Sequence, residues 1–226
     1  MKAMILAAGR GERLRPLTDH TPKPLLKAGD KPLIVHLIEK LVAAGFNEIV
    51  VNYAHLGNQF PEALGDGSYW GAEIRYSPEL NGGLETAGGI IHALPLLGDE
   101  PFLVVNGDIW TDYDFARLQN CLINDTLCHL VLVPNPAQHP EGDFYLDDNN
   151  QLHAEGVVKF TFSGIGVYRP ELFAGLADCK RPLKPLLLDA MQQNRATGAI
   201  YEGDWSDIGT AERLIALNKQ LQNQRL

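Results

Sequence analysis

The chain has 226 residues, 45% hydrophobic and 21% charged, which excludes a disordered or fibrous polymer and suits one α/β domain with a packed core. A formal net charge of -9 argues against nucleic acid or an anionic membrane as the main partner, since both select basic surfaces, so any bound anion must be held locally. Cys121, Cys128 and Cys179 form no Cys-x-x-Cys pair and, being odd in number, suggest no disulfide framework; reduced thiols in a cytoplasmic protein are expected.

Lys2 to Ala7 reads as a first, buried strand. No charged leader with a long apolar run precedes it, and no stretch of about 18 apolar residues follows, so export and membrane spans are not expected. The strand runs into Ala8-Gly9-Arg10-Gly11-Glu12-Arg13-Leu14, then Thr21-Pro22-Lys23-Pro24. Glycines there let backbone N–H groups approach phosphate oxygens, and Arg13 and Lys23 add a rigid fork of donors and a mobile point charge. The turn is not a P-loop, because no Lys-Ser or Lys-Thr pair follows the glycines. It is not a dinucleotide fingerprint either, because Leu14 stands where the third glycine belongs.

Leu33, Ile34, Leu37, Ile38, Leu41 and Val42 recur at helical spacing behind Pro32, with Gly45 as the stop. Glu48 to Asn52 is a second strand, Phe60 to Leu64 a short helix, Glu73 to Ser77 a strand, Thr86 to Leu94 a helix and Phe102 to Asn106 a buried strand. This alternation predicts a largely parallel sheet covered by helices. Beyond it the order loosens. Leu127 to Val133 is a strand, Asp143 to Lys159 reads as two or three short strands around an Asp147-Asp148-Asn149-Asn150 turn, and Phe162 to Tyr168 is another strand. Helices over Lys184 to Asn194 and Ala211 to Gln224 flank a last strand, Ala199 to Glu202.

Asp108 follows a buried strand at a polar turn, where ligands bind in open α/β sheets. Asp207, in Trp205-Ser206-Asp207-Ile208-Gly209-Thr210, lies just ahead of the last helix. Two carboxylates together with a triphosphate would suit Mg²⁺, although Asp at such places is more often a turn former or helix cap. The seven histidines show no metal-ligand spacing and are expected to be structural or superficial, and Trp70 and Trp110 are expected in the core.

The run Leu6-Ala7-Ala8-Gly9-x-Gly11-x-Arg13-Leu14-x-Pro16-Leu17-Thr18 with Pro22-Lys23-Pro24 resembles the signature of the nucleotidyltransferases that make nucleotide sugars, the sugar-nucleotide pyrophosphorylases. The resemblance implies a Rossmann-like, GT-A type fold: a mixed, mainly parallel central sheet flanked by helices. It implies a single domain over 1–226, with a nucleotide-binding part over about 1–112 and a sugar-binding part over about 113–226. It also implies nucleotide contacts from Leu6, Ala7, Ala8, Gly9, Gly11, Arg13, Lys23, Glu79, Gly83 and Asn106, with Arg13, Lys23 and Asp108 acting in catalysis. Asp108 and Asp207 would hold Mg²⁺. UTP and a sugar 1-phosphate are the implied substrates, the protein being a cytoplasmic monomer or homodimer. No β-helical acetyltransferase domain is expected after Asp207.

Glu85 stands where the glucose and mannose enzymes carry the glycine of Leu-Gly-Thr-Ala-Gly. Leu84-Glu85-Thr86-Ala87-Gly88-Gly89 with Asn106-Gly107-Asp108-Ile109-Trp110 is similar to the branch that joins UTP to N-acetylmuramate α-1-phosphate in cell-wall recycling. Glu85, Glu155, Lys159 and Gly164 are then the candidate sugar contacts, though Glu155 to Lys159 lacks the Glu-Lys-Pro element of many relatives. Arg75, Arg169 and Lys159 are candidates for meeting the lactyl carboxylate. The alternatives are a guanylyl- or uridylyltransferase for mannose or glucose 1-phosphate, and a catalytically silent nucleotide-sugar sensor; intact Lys23, Asp108 and Asp207 favour the enzyme.

Overall fold

A computed structural model describes residues 1–80 and 82–223. Its first strand, β1 (Ala3–Leu6), is apolar and almost wholly buried, as a strand covered on both faces must be. The glycine-rich turn follows, then a small ribbon of β2 (Lys27–Ala28) and β3 (Lys31–Pro32). In α1 (Leu33–Ala43), Leu33, Ile34, Leu37, Ile38 and Leu41 are buried along one face. The helix ends where Gly45 takes a φ of 86°. There the Gly45 N–H donates to the Val42 carbonyl and the Phe46 N–H to that of Leu41, both at 2.9 Å, which satisfies two terminal carbonyls and drops Phe46 into the core.

The chain continues through β4 (Glu48–Tyr53), α2 (Gln59–Leu64), β5 (Glu73–Pro78), α3 (Glu85–Leu97), β6 (Phe102–Asn106) and β7 (Ile109–Thr111). After these come β8 (Cys128–Val133), β9 (Phe144–Leu146), β10 (Leu152–His153), β11 (Lys159–Tyr168), α4 (Lys184–Gln192), β12 (Ala196–Ile200), β13 (Trp205–Asp207) and α5 (Ala211–Asn223). In the main sheet β5, β4, β1 and β6 are parallel neighbours. Antiparallel β11 joins β6 to β8, and β12 runs parallel to β8. One apolar core lies between the sheet and α1, a second under α3 and α4, and a third gathers Trp110 and Ile208 beneath Leu214 and Leu217 of α5.

The expected α/β architecture is therefore present, with corrections in the second half. The last strand of the main sheet is Ala196–Ile200 instead of Ala199 to Glu202, because it pairs along β8 from Ala196↔Cys128. The short strands expected up to Lys159 reduce to β9 and β10, since Lys159 already opens the long β11. Gln224, the expected end of the last helix, lies outside the described residues, as does Asn81. Among the described residues no helix is long and apolar enough to cross a membrane, and all three cysteines are free.

Candidate active site

The register of the parallel strands sets Ser77, Asn52, Leu6 and Asn106 in one row across the sheet. Each strand leaves this carboxyl edge through a polar turn, so the edge gathers backbone N–H groups and side chains from distant segments. Gly107 brings Asp108 close. Its N–H donates to the Leu6 carbonyl at 2.8 Å, and a Cβ on Gly107 would stand 2.7 Å from that oxygen, an approach only glycine permits.

From the other side the glycine turn folds back and delivers Lys23. Gly11 has a φ of 63°, and a Cβ there would lie 2.9 Å from Thr18 Cγ2 and 3.1 Å from Lys23 Cβ. The Lys23 side chain reaches the strand end and its Nζ donates to Asp108 Oδ2 at 2.6 Å. Lys23 is only 8% exposed, so its charge acts where water screens it little.

Asp207 arrives by a different route. β13 pairs antiparallel with β7, setting Asp207 opposite Ile109, and the Ile208 N–H donates to the Asp108 carbonyl at 2.7 Å. Asp207 Oδ1 accepts from Gln138 Nε2 at 2.9 Å and is paired with Arg213 of α5, whose Nη1 also donates to the Asp207 carbonyl at 3.0 Å. Charge converges on Gly209: a Cβ there would be 2.9 Å from Arg213 Nη2, 3.0 Å from Asp207 Oδ2 and 3.1 Å from Arg13 Nη2. Arg13, Asn106, Asp108 and Asp207 accordingly line one concavity of about 300 Å³, together with His139 and Trp205.

The two carboxylates are hard oxygen donors of the type Mg²⁺ takes, and three cations stand beside them. Among the described residues no group of three or more His, Cys, Asp or Glu side chains is arranged to hold an ion. A two-carboxylate set fits an ion that keeps its remaining positions for water and phosphate oxygens.

A larger concavity, about 1170 Å³, opens on the other side of Leu6 and is lined by Leu6, Ala8, Gly9, Glu79, Gly83 and Glu85 among others. Gly9 has open space where a Cβ would be, and Gly83 faces the Ala8 carbonyl, which would lie 3.6 Å from a Cβ. Ala7 itself is buried, and its N–H donates to Asn52 Oδ1 at 2.8 Å. Asn52 Nδ2 donates to Glu79 Oε1 at 2.6 Å, and Glu79 Oε2 accepts the Leu84 N–H at 2.6 Å. Glu79, 4% exposed, thus ties the glycine turn to the start of α3. Gly89 leaves the room: a Cβ on it would stand 2.6 Å from Glu79 Oε1 and 2.8 Å from Asn52 Nδ2. Glu85 sits at a φ of 61°, a conformation that costs a non-glycine residue about 1–2 kcal/mol.

The remaining candidates fall farther out. Gly164, φ 80°, lies at the irregularity in β11, and a Cβ on it would be 2.4 Å from Asn106 Nδ2. The room it makes is filled by Asn106, so its link to the site runs through that side chain. Lys159 pairs with exposed Glu155 at 2.9 Å, and neither lines the two concavities. Asn52, Gly89 and Arg213 are residues that sequence reasoning missed. Asn52 reads as the last residue of a buried strand, and only the polar residue in an apolar run hinted at it. Trp110 is in a core and Trp70 packs, partly buried, against another, while His36 and His92 bond the Ala28 carbonyl and Asp178.

Comparison with known proteins identifies the family. The Nucleotidyl transferase family matches residues 2–146. The chain belongs to the nucleotidyl transferase family. It is 54% identical over 220 residues to the N-acetylmuramate alpha-1-phosphate uridylyltransferase of Neisseria meningitidis serogroup B, covering 95% of each chain. The Caulobacter vibrioides protein of the same name is 32% identical over 243 residues, 97% of this chain and 96% of that one. In fold this nucleotidyl transferase superposes on a Bacillus anthracis crystal structure described as a glucose-1-phosphate thymidylyltransferase, with a TM-score of 0.86 at 22% identity, covering 99% of this chain and 96% of the other.

Proposed function

We propose that this protein transfers the uridylyl group of UTP to N-acetylmuramate α-1-phosphate, releasing pyrophosphate and forming UDP-N-acetylmuramate. The observation that carries the reading is the direct Lys23–Asp108 contact, which joins the glycine turn to the strand-end carboxylate beside Asp207. The similarity to the two uridylyltransferases supports the choice of substrates.

An acceptor phosphate oxygen attacks the α-phosphorus of UTP, and the bond to the bridging oxygen of the leaving pyrophosphate breaks. The attacking oxygen is already anionic near neutral pH, so no general base is needed and catalysis reduces to alignment and charge neutralisation. Backbone N–H groups around Gly9 and Gly11 hold the triphosphate. Lys23 and Arg13 offset the negative charge growing on it, with their own charge held in place before substrate arrives. Gly83 lets the nucleobase come close to the turn whose position Glu79 fixes. Asp108 and Asp207 would hold Mg²⁺, which would supply charge neutralisation at the phosphate oxygens. The nucleotide-binding part is about residues 1–112 and the sugar-binding part about 113–226; Glu85, from the first part, joins Glu155, Lys159 and Gly164 of the second as sugar contacts. We place the reaction in the cytoplasm, in the reuse of cell-wall sugars, and carried out by a monomer or homodimer.

The test is pyrophosphate release with UTP or GTP against a panel of sugar 1-phosphates in the presence of Mg²⁺. The highest kcat/KM is expected with UTP and N-acetylmuramate α-1-phosphate. A preference for GTP, or for mannose or glucose 1-phosphate, overturns the substrate assignment; nucleotide binding without turnover on any acceptor overturns the enzyme.

A further inference from the structure

Among the described residues, those lining the larger concavity come from the first 86 positions with one exception, Lys180. Lys180 comes from the segment between Phe173 and α4, far along the chain. Its neighbours are fastened to the first turns of α3. The Arg181 N–H donates to the Leu84 carbonyl at 2.9 Å, and the Gly88 N–H donates to the Arg181 carbonyl at 3.1 Å. Gly88 is what admits this crossing, since a Cβ on it would stand 2.5 Å from the Cys179 carbonyl oxygen and 3.1 Å from the Arg181 N. The backbone is therefore fastened at Arg181, next to Lys180, whose side chain, 68% exposed, lines the cavity.

There it meets Glu85, whose Oε1 lies 3.6 Å from Lys180 Nζ. A separation of that size orients the ammonium by charge and leaves its N–H donors for a ligand. Glu85 keeps its strained left-handed backbone while making this contact, and strain of that kind persists where a side chain must be aimed. The cations considered from sequence are engaged elsewhere. Arg169 donates to the carbonyls of Thr126 and Asn124, Arg75 to Glu73, and Lys159 pairs with Glu155.

Apart from its reacting phosphate, the acceptor carries one more anion, the carboxylate of the lactyl ether on the sugar ring. The phosphates have their own partners in the glycine turn, Arg13 and Lys23. We propose that Lys180 binds the lactyl carboxylate of the acceptor, with Glu85 holding the ammonium in place, and that this pair selects N-acetylmuramate over sugars that lack the lactyl group. This rests on the acceptor named above.

The experiment compares N-acetylmuramate α-1-phosphate with N-acetylglucosamine α-1-phosphate, which lacks the lactyl ether, in wild type, Lys180→Met and Lys180→Arg. Wild type is expected to prefer the lactyl acceptor. Lys180→Met should lower kcat/KM for it by roughly 10- to 100-fold more than for the other, mainly through KM, as loss of a charge-assisted bond predicts. Lys180→Arg should keep most of the preference. An equal fall with both acceptors would place Lys180 at the phosphate and overturn the proposal, as would a preference unchanged in Lys180→Met. A wild type with no preference for the lactyl acceptor removes the acceptor reading itself, and this proposal with it. An unchanged thermal midpoint for Lys180→Met shows that the fold is intact.

Discussion

Replacing Glu79 with Gln tests whether the bond relay beneath the larger concavity holds two substrate-facing turns together. The relay begins and ends on fixed donors, the Ala7 and Leu84 N–H groups. Between them Asn52 accepts and donates, and Glu79 accepts twice. An amide in place of the Glu79 carboxylate brings one donor too many, so whichever way the two amides turn, one pair of N–H groups faces another. A buried donor left unmade costs about 1–3 kcal/mol. Relief from burying a carboxylate works the other way, so a loss of about 1–2 kcal/mol is expected from these opposing terms. For a chain of this length that is a fall of roughly 2–8 °C in thermal midpoint. Asn52→Asp alone sets two carboxylates against each other and is expected to cost more. Combining Asn52→Asp with Glu79→Gln closes the relay again at the same net charge. The introduced carboxylate then accepts from the Ala7 N–H and from the introduced amide, whose own carbonyl oxygen accepts from the Leu84 N–H. Denaturant unfolding of the four proteins gives the coupling, expected at about 1 kcal/mol or more in favour of the double variant, with the KM for UTP raised in each single variant and partly recovered in the double. Losses that simply add would refute the relay.

Lys23→Ala is expected to lower kcat by about 10²–10³-fold, the usual cost of removing one preorganised group at a developing charge, measured as pyrophosphate release; near-normal turnover would remove Lys23 from the chemistry. Arg213→Gln removes the internal cation that pairs with Asp207 and should tighten Mn²⁺ binding several-fold, read by electron paramagnetic resonance of free Mn²⁺, with Asp207→Asn abolishing that gain. Weaker Mn²⁺ binding in Arg213→Gln would show instead that the guanidinium helps to assemble the site. Burial holds the His36 and His129 imidazoles below their ordinary pKa, so the unfolded chain takes up more protons than the folded one as pH falls below about 6.5. Stability contributed by these neutral rings should be complete above that pH and lost on acidification towards the lowered folded values. His92, raised by its hydrogen bond to Asp178, acts in the opposite sense, so urea unfolding between pH 7.5 and 5.5 should lose more stability in His92→Gln than in wild type.

The parallel half of the fold was legible because its strands are short apolar runs and α1 carries a one-sided apolar stripe bounded by Pro32 and Gly45. The glycine turn with Lys23 was legible because phosphate chemistry needs those residue types in that order. What could not be read was pairing at a distance. Two three-residue strands, β7 and β13, carry too few positions to show alternation, yet their register is what sets Asp207 beside Asp108. Glu79 and Gly164 were marked by motif, but their partners, Asn52 and Asn106, are set by strand register and a β-bulge, which no local pattern reports. Lys180 lay in a segment with neither period nor motif, and only its docking on Gly88 gives it a place.

The β7–β13 ribbon also imposes an order on biosynthesis. The glycine turn is translated well before the strand that bears Asp207. Until that strand pairs alongside Ile109, Asp108 has no second carboxylate beside it. Translation interrupted before Trp205 therefore yields a chain without Asp207 and without the Arg213 that pairs with it.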